Sequence, residues 1–142
     1  MRAWLLDTGP LVAYLDAADP AHRDVTTRLG GWTGRLCTTS AVVTEAMHFV
    51  AASRQGPSLL ASFAQQAGLL VYECAQPWQL AEAAALMARY ADTPMDFADA
   101  TLVLLAERLN VLDVATLDRR GFTTYRAARR RPFRLALERA DG

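Results

Sequence analysis

Short apolar runs alternate with longer stretches of helical periodicity along this chain. Ala3-Trp-Leu-Leu stops at Asp7-Thr-Gly-Pro, the pattern of a buried strand running into a turn. Pro10 suits a first helical turn, and Leu11, Val12, Tyr14 and Leu15 carry a helix to about Ala17. Asp19-Pro20 opens another helix, with Val25 and Leu29 inward and Gly30-Gly31 as its stop. Residues 35–38 read as a second strand. Ser40 is placed to cap a long helix reaching Val50, and Gly56-Pro57 breaks it. Residues 58–67 form a short helix, 69–73 a third strand, and 77–91 an Ala-rich helix with Leu80, Ala84 and Met87 at helical spacing. After the Thr93-Pro94 break, residues 96–109 are so nearly all apolar that their helix belongs at the centre. Residues 111–116 give a fourth strand. Residues 122–125 and 133–137 add edge or tail elements.

Strands alternating with helices imply an α/β layer fold with a mainly parallel sheet. Ligands bind such sheets at the carboxyl ends of the strands. Asp7 and Asp118 each fall just after a predicted strand, so both are expected on that edge.

Composition narrows this picture. With 142 residues, 52% hydrophobic and 21% charged, the chain fits one globular domain, 1–142, with a full core. The apolar run 3–6 is broken by Asp7 too early for a signal peptide or a membrane span. Cys37 and Cys74 are far apart and form no C-x-x-C, so two reduced core thiols in a cytoplasmic protein are expected. Net charge is zero, but residues 119–142 carry eight Arg against two acids and residues 1–118 seven Arg against thirteen. An acidic body with a basic tail at about 126–142 suits metal binding in one place and phosphate contact in another. The chain has no lysine.

Candidate chemistry lies in five acids at the ends or turning points of apolar segments: Asp7, Glu45, Asp96, Asp99 and Asp118. Singly, each has a structural role open to it. Asp7 makes good turn chemistry, Glu45 on its helix can face solvent, and Asp96 or Asp118 can cap a helix or turn. Asp99 is explained least well by capping, because apolar residues flank it. Gathered together, ionised carboxylates cost on the order of several kcal/mol each to bury unless something positive joins them. Without lysine, a divalent cation is the simplest partner. Oxygen donors select hard ions such as Mg²⁺ or Mn²⁺, and neither His22 nor His48 has a zinc-ligand spacing. A metal-dependent nuclease follows.

Four motifs in order then resemble the PIN domain, and in particular the small bacterial PIN-domain toxins of the VapC type. They are Leu5-Leu-Asp7-Thr-Gly-Pro-Leu-Val-Ala, Thr38-Thr-Ser-Ala-Val-Val-Thr-Glu45, Met95-Asp96-Phe-Ala-Asp99-Ala-Thr-Leu-Val and Ala115-Thr116-Leu-Asp118-Arg-Arg-Gly-Phe122. The similarity spans about residues 3–134. It implies a PIN-like three-layer α/β/α sandwich and an endoribonuclease needing Mg²⁺ or Mn²⁺. It also implies a homodimer, a small antitoxin that blocks the acidic pocket, and Asp96 as a companion of the family acid Asp99. Asp7 and Asp99 are then the best direct metal ligands. Glu45 acts through water or orients the nucleophile, and Asp118 serves a second, weaker site. Thr8 and Thr116 hydrogen-bond carboxylates or phosphate, or are plain turn and strand-end residues.

The arginines complete the expectation. Arg119 and Arg120 follow Asp118 and can reach a phosphate near the metal. Arg126, Arg129, Arg130, Arg131 and Arg134 form a basic patch that would position RNA, with Tyr125 and Phe133 to stack on bases. The alternative is a solvated tail. Trp4, Trp32 and Trp78 offer apolar surface for a dimer. An aspartyl-nucleophile phosphatase is disfavoured, since position 9 is Gly and no Lys steadies the phosphate. The same lack excludes a P-loop. Two further alternatives are a non-catalytic RNA-binding or interaction module on this fold, disfavoured by the complete acid set, and a housekeeping RNA-processing nuclease.

Overall fold

The computed structural model describes residues 2–138. In chain order these run β1 (Ala3–Leu6), α1 (Thr8–Leu15), α2 (His22–Gly30), β2 (Arg35–Thr39), α3 (Ser40–Val50), α4 (Gly56–Ala67) and β3 (Leu70–Tyr72). There follow α5 (Pro77–Arg89), α6 (Phe97–Leu109), β4 (Asp113–Ala115), α7 (Arg119–Thr124), β5 (Arg126–Ala127), β6 (Arg131–Pro132) and β7 (Arg134–Leu135). Five strands form one sheet in the order β3-β2-β1-β4-β7, with every pairing parallel.

The period-2 alternation of strand side chains splits the core into two layers. Leu5, Cys37 and Val114 point to one face and pack under α5 and α6. Leu6, Leu36 and Ala115 point to the other, under α1 to α4. The result is a three-layer α/β/α arrangement with β1 in the middle of the sheet. Helix α6 is buried along most of its length, from Ala98 and Ala100 to Ala106, which is why its sequence shows no polar stripe. Both cysteines are free and buried. Among the described residues no helix is long and apolar enough to cross a membrane.

Several boundaries differ from the sequence reading for clear reasons. The cap of α3 is Thr39, not Ser40. Thr39 ends β2 in the extended conformation (φ −114°, ψ 159°) that a cap requires, and its Oγ1 accepts from the Val42 N–H at 3.3 Å. Gly56-Pro57 opens α4 rather than merely ending α3, with the proline in the first helical turn. A side chain at Gly56 would collide with the Val50 carbonyl, so the chain passes there only as glycine. Residues 119–124 form a helix rather than an edge strand, and β7 is a full member of the central sheet.

The arginine-rich stretch is folded, not a solvated tail, as far as Glu138; residues 139–142 of that expectation lie outside the described residues. β5 and β6 make an antiparallel hairpin. Arg126 donates to the carbonyls of Thr123, Thr124 and Tyr125 at 2.8, 3.1 and 2.9 Å. Arg134 makes a forked pair with Asp113 at 2.8 and 3.2 Å. Tyr125 and Phe133, expected to stack on bases, are core residues instead. Both rings meet Phe122 edge-on, at 5.1 and 5.4 Å between centroids, and neither is accessible to a nucleotide. Trp4 and Trp32 stack on each other at 3.9 Å, so Trp78, 64% exposed, is the tryptophan left free on the surface.

Candidate active site

A parallel sheet delivers the residues after its strands to one edge, and the acids gather there. Asp7 follows β1 directly, and its N–H reaches back to the Ala115 carbonyl of β4 at 3.0 Å. Asp7 caps α1: one carboxylate oxygen accepts from the Thr8 N–H at 2.8 Å. The other accepts from the Thr116 hydroxyl at 2.7 Å. The Thr116 oxygen in turn accepts from the Asp118 N–H at 2.9 Å, so a single threonine at the end of β4 ties two acids together. Asp118 caps α7 through Oδ1, which accepts from the Gly121 N–H at 3.0 Å. Its Oδ2 lies where a side chain on residue 121 would stand, which accounts for glycine there.

Asp96 and Asp99 come from the start of α6 and cap it reciprocally. Asp96 accepts from the Asp99 N–H at 2.8 Å and Asp99 from the Asp96 N–H at 3.2 Å. Capping therefore accounts for Asp99 as well as Asp96, contrary to the reading from the sequence. Glu45 comes from the middle of α3. A hydroxyl pair at 2.8 Å, Thr39 to Thr101, fastens the start of α3 to α6 and so fixes Glu45 relative to Asp99.

These groups share one cavity of about 570 Å³ whose walls include Asp7, Thr8, Glu45, Asp96, Asp99 and Asp118. Asp19, Val12, Phe49 and Leu117 also line it, and none of these four was singled out from the sequence. Asp19 is hidden there by its role as a turn former, accepting from the Ala21 N–H at 2.9 Å. Val12 and Phe49 lie four residues beyond Thr8 and Glu45, a helical spacing that would have placed them beside those residues.

The electrostatics of the cavity are conflicted. Burial pushes the Asp7 carboxyl up to about 6, against its bonds to Thr116 and Thr8, with Asp96 and Asp118 adding repulsion. Asp99 rises to about 8, first through burial and then through the charges of Asp7 and Asp96. Glu45 is also raised, by burial and by Asp96, while the nearby Thr8 hydroxyl pulls it down. That hydroxyl is fully buried and has no hydrogen-bond partner at bonding distance. Among the described residues no three acidic, histidine or cysteine side chains already enclose an ion by themselves. The donors are nevertheless all oxygens, anionic and in mutual repulsion, with an orphaned hydroxyl among them. That set fits a hard dication that keeps part of its water shell.

Among the described residues no arginine lines this cavity. Arg119 beside it is engaged with Glu138 in an ion pair at 2.5 Å, and Arg120 is exposed on the first turn of α7. Arg131 is elsewhere: it bonds Asn110, which caps the far end of α6 from Asp96. A 13-residue helix separates the two ends by about 20 Å. Arg129 and Arg130 stand exposed at the hairpin tip beside Arg131, so these three belong to a surface remote from the acids.

Comparison with known proteins agrees with this geometry. Residues 4–128 match the PIN domain. Ribonuclease VapC26 of Mycobacterium tuberculosis is 32% identical over 130 residues, covering 86% of this chain and 91% of that protein. Among solved structures, the M. tuberculosis toxin VapC20, described as cleaving the sarcin-ricin loop, superposes with a TM-score of 0.70 at 16% identity, over 85% of this chain and 95% of that one. VapBC2 of Rickettsia felis, solved bound to a fragment of its promoter DNA, gives a TM-score of 0.57 at 16% identity, over 80% and 86%. The chain belongs to the PIN-domain family and, within it, to the VapC type.

Proposed function

We propose that this protein is an endoribonuclease dependent on Mg²⁺ or Mn²⁺, the toxin of a toxin–antitoxin pair, acting in the cytoplasm. The observation that carries this reading is the cavity at the carboxyl edge of the sheet, where Asp7 and Asp99 are both held above the ordinary carboxylate range by burial and by the acids around them, Asp96 and Asp118 beside Asp7, and Asp7 and Asp96 beside Asp99. The name of its relative Ribonuclease VapC26, over most of both chains, supports RNA as the substrate.

A divalent cation, when bound, lowers the pKa of a water and offsets the charge that develops on the phosphate. Asp7 and Asp99 hold it, with Asp96 and the free Oδ2 of Asp118 as further oxygen donors. Glu45, whose raised pKa suits it to take up a proton, orients the attacking water. Thr116 fixes the Asp7 carboxylate, and the unpartnered Thr8 hydroxyl is placed to donate to a phosphate oxygen or a water of the ion's shell. Arg119 and Arg120 flank the cavity and contact the phosphate backbone, which in the case of Arg119 requires release from Glu138. Arg129, Arg130 and Arg131 contact RNA well away from the cut.

The partners follow from the same reading. A cognate antitoxin covers the cavity, and a second copy of the chain uses exposed apolar surface such as Trp78. The decisive variant is Asp99→Asn, which keeps the shape and removes the charge. Cleavage of single-stranded RNA in Mn²⁺ is expected to fall at least a hundredfold, with the fold intact by circular dichroism. Near-parental cleavage by this variant overturns the assignment.

A further inference from the structure

The lining of the cavity combines acids, suited to grip a phosphate through a cation, with apolar residues, and among the described residues it includes no basic side chain. Phe49 is the largest apolar residue there and is 57% exposed. It lies on α3 one helical turn beyond Glu45, on the same face. Val12 stands in the same relation to Thr8 on α1. Leu117, 42% exposed, comes from the other side of β1, between Thr116 and Asp118, with its side chain over Gly9, where an added methyl group would meet it at 3.6 Å. Because α3 follows β2 and Asp118 follows β4, the two exposed apolar groups rise on opposite sides of the central strand.

An exposed phenylalanine beside a group of carboxylates does nothing for either. It lends no hydrogen bond to the acids, and apart from an edge contact with the His48 ring at 5.9 Å it leaves more than half of its surface in water, where burial would be favourable. Its place has a use when the cavity is filled. A phosphodiester held over the acids carries a nucleobase on each side within a few ångströms. The acids take the phosphate through the cation, which leaves the base within reach of the apolar residues of the lip, and aromatic faces take bases of any sequence.

We propose that Phe49 is a base-stacking residue, holding an unpaired nucleobase next to the phosphate that is cut, with Leu117 on the opposite lip. This rests on the ribonuclease reading above. The consequence is a substrate preference for unstacked, single-stranded positions, set by the protein's own apolar rim rather than by base-edge hydrogen bonds.

The test uses the full-length protein and short single-stranded RNAs, intact or with one abasic ribose beside the cleaved bond. Phe49→Ala is expected to lower kcat/KM about tenfold on intact RNA, mainly through KM, and Phe49→Trp to restore it. On the abasic RNA the parent is expected to lose the same factor and Phe49→Ala nothing further. Binding is read independently from the fluorescence of 2-aminopurine at that position, quenched by the parent and not by Phe49→Ala. This readout stands even if the protein binds RNA without cutting it, so failure of the nuclease reading is separable. Equal loss on intact and abasic RNA, or no loss on either, overturns the proposal. So does unchanged RNA handling with a shift from dimer to monomer, which would reassign Phe49 to contact between copies.

Discussion

The Asp118 carboxylate depends on a hydrogen atom at residue 121. Its Oδ1 accepts from the Gly121 N–H at 3.0 Å, and a methyl group on residue 121 would overlap its Oδ2 and crowd the Tyr125 ring. Gly121→Ala should therefore displace the acid and break the cap of α7. The expected cost is about 1–2 kcal/mol in stability and roughly tenfold in Mn²⁺ affinity. Gly9→Ala is the matched control. Its added carbon would meet only the Leu117 side chain at 3.6 Å, an ordinary contact, although Gly9 lines the same cavity. Thermal melts and Mn²⁺ titrations of both variants check this. Equal metal affinity in Gly121→Ala and parent would remove Asp118 from the proposed ion site.

At the scale of elements, the hairpin β5–β6 turns through two successive left-handed residues, Arg129 (φ 63°) and Arg130 (φ 58°). Tight hairpins need that backbone, but it favours Asn and Gly, and a bulky L-residue held there costs about 1 kcal/mol or more. Replacing the pair by Asn-Gly is expected to stabilise the protein by about 1–2 kcal/mol in urea unfolding. The same variant separates fold from binding: if the tip touches RNA, the salt dependence of binding should flatten while cleavage at saturation is unchanged. A less stable variant would mean that the arginines hold the tip through contacts of their own. This turn also marks what the sequence conceals. Four parallel strands, the central helix α6 and the convergence of Asp7 and Asp118 were legible because each rests on a local pattern, an apolar run or an acid just after it. The fate of residues 126–138 was not, because Arg126, Arg131 and Arg134 find partners in Tyr125, Asn110 and Asp113, and only the tertiary fold brings the last two near. Tyr125 and Phe133 were misread for the same reason: basic neighbours in the sequence concealed a core in space.

The whole molecule sets its stability against its site. In the unfolded chain Asp7 and Asp99 titrate near 3.8; in the fold they titrate near 6 and 8. Between those values the folded state binds more protons than the unfolded one, so the contribution of these groups to stability falls as pH rises. For Asp7 the loss runs from about pH 4 to 6, and for Asp99 on to about pH 8. This is opposite to the usual paired carboxylate, whose contribution disappears in acid. A dication binds the deprotonated acids, so it should restore most where the conflict is greatest. Melting temperatures without metal are thus expected to decline from pH 5.5 to 8 more steeply for the parent than for Asp99→Asn. Added Mn²⁺ should raise the parent's melting temperature more at pH 8 than at pH 5.5 and leave Asp99→Asn nearly unmoved. A metal effect of equal size at both pH values, or one kept by Asp99→Asn, would mean that the ion binds elsewhere and that the crowded acids are relieved by protons alone.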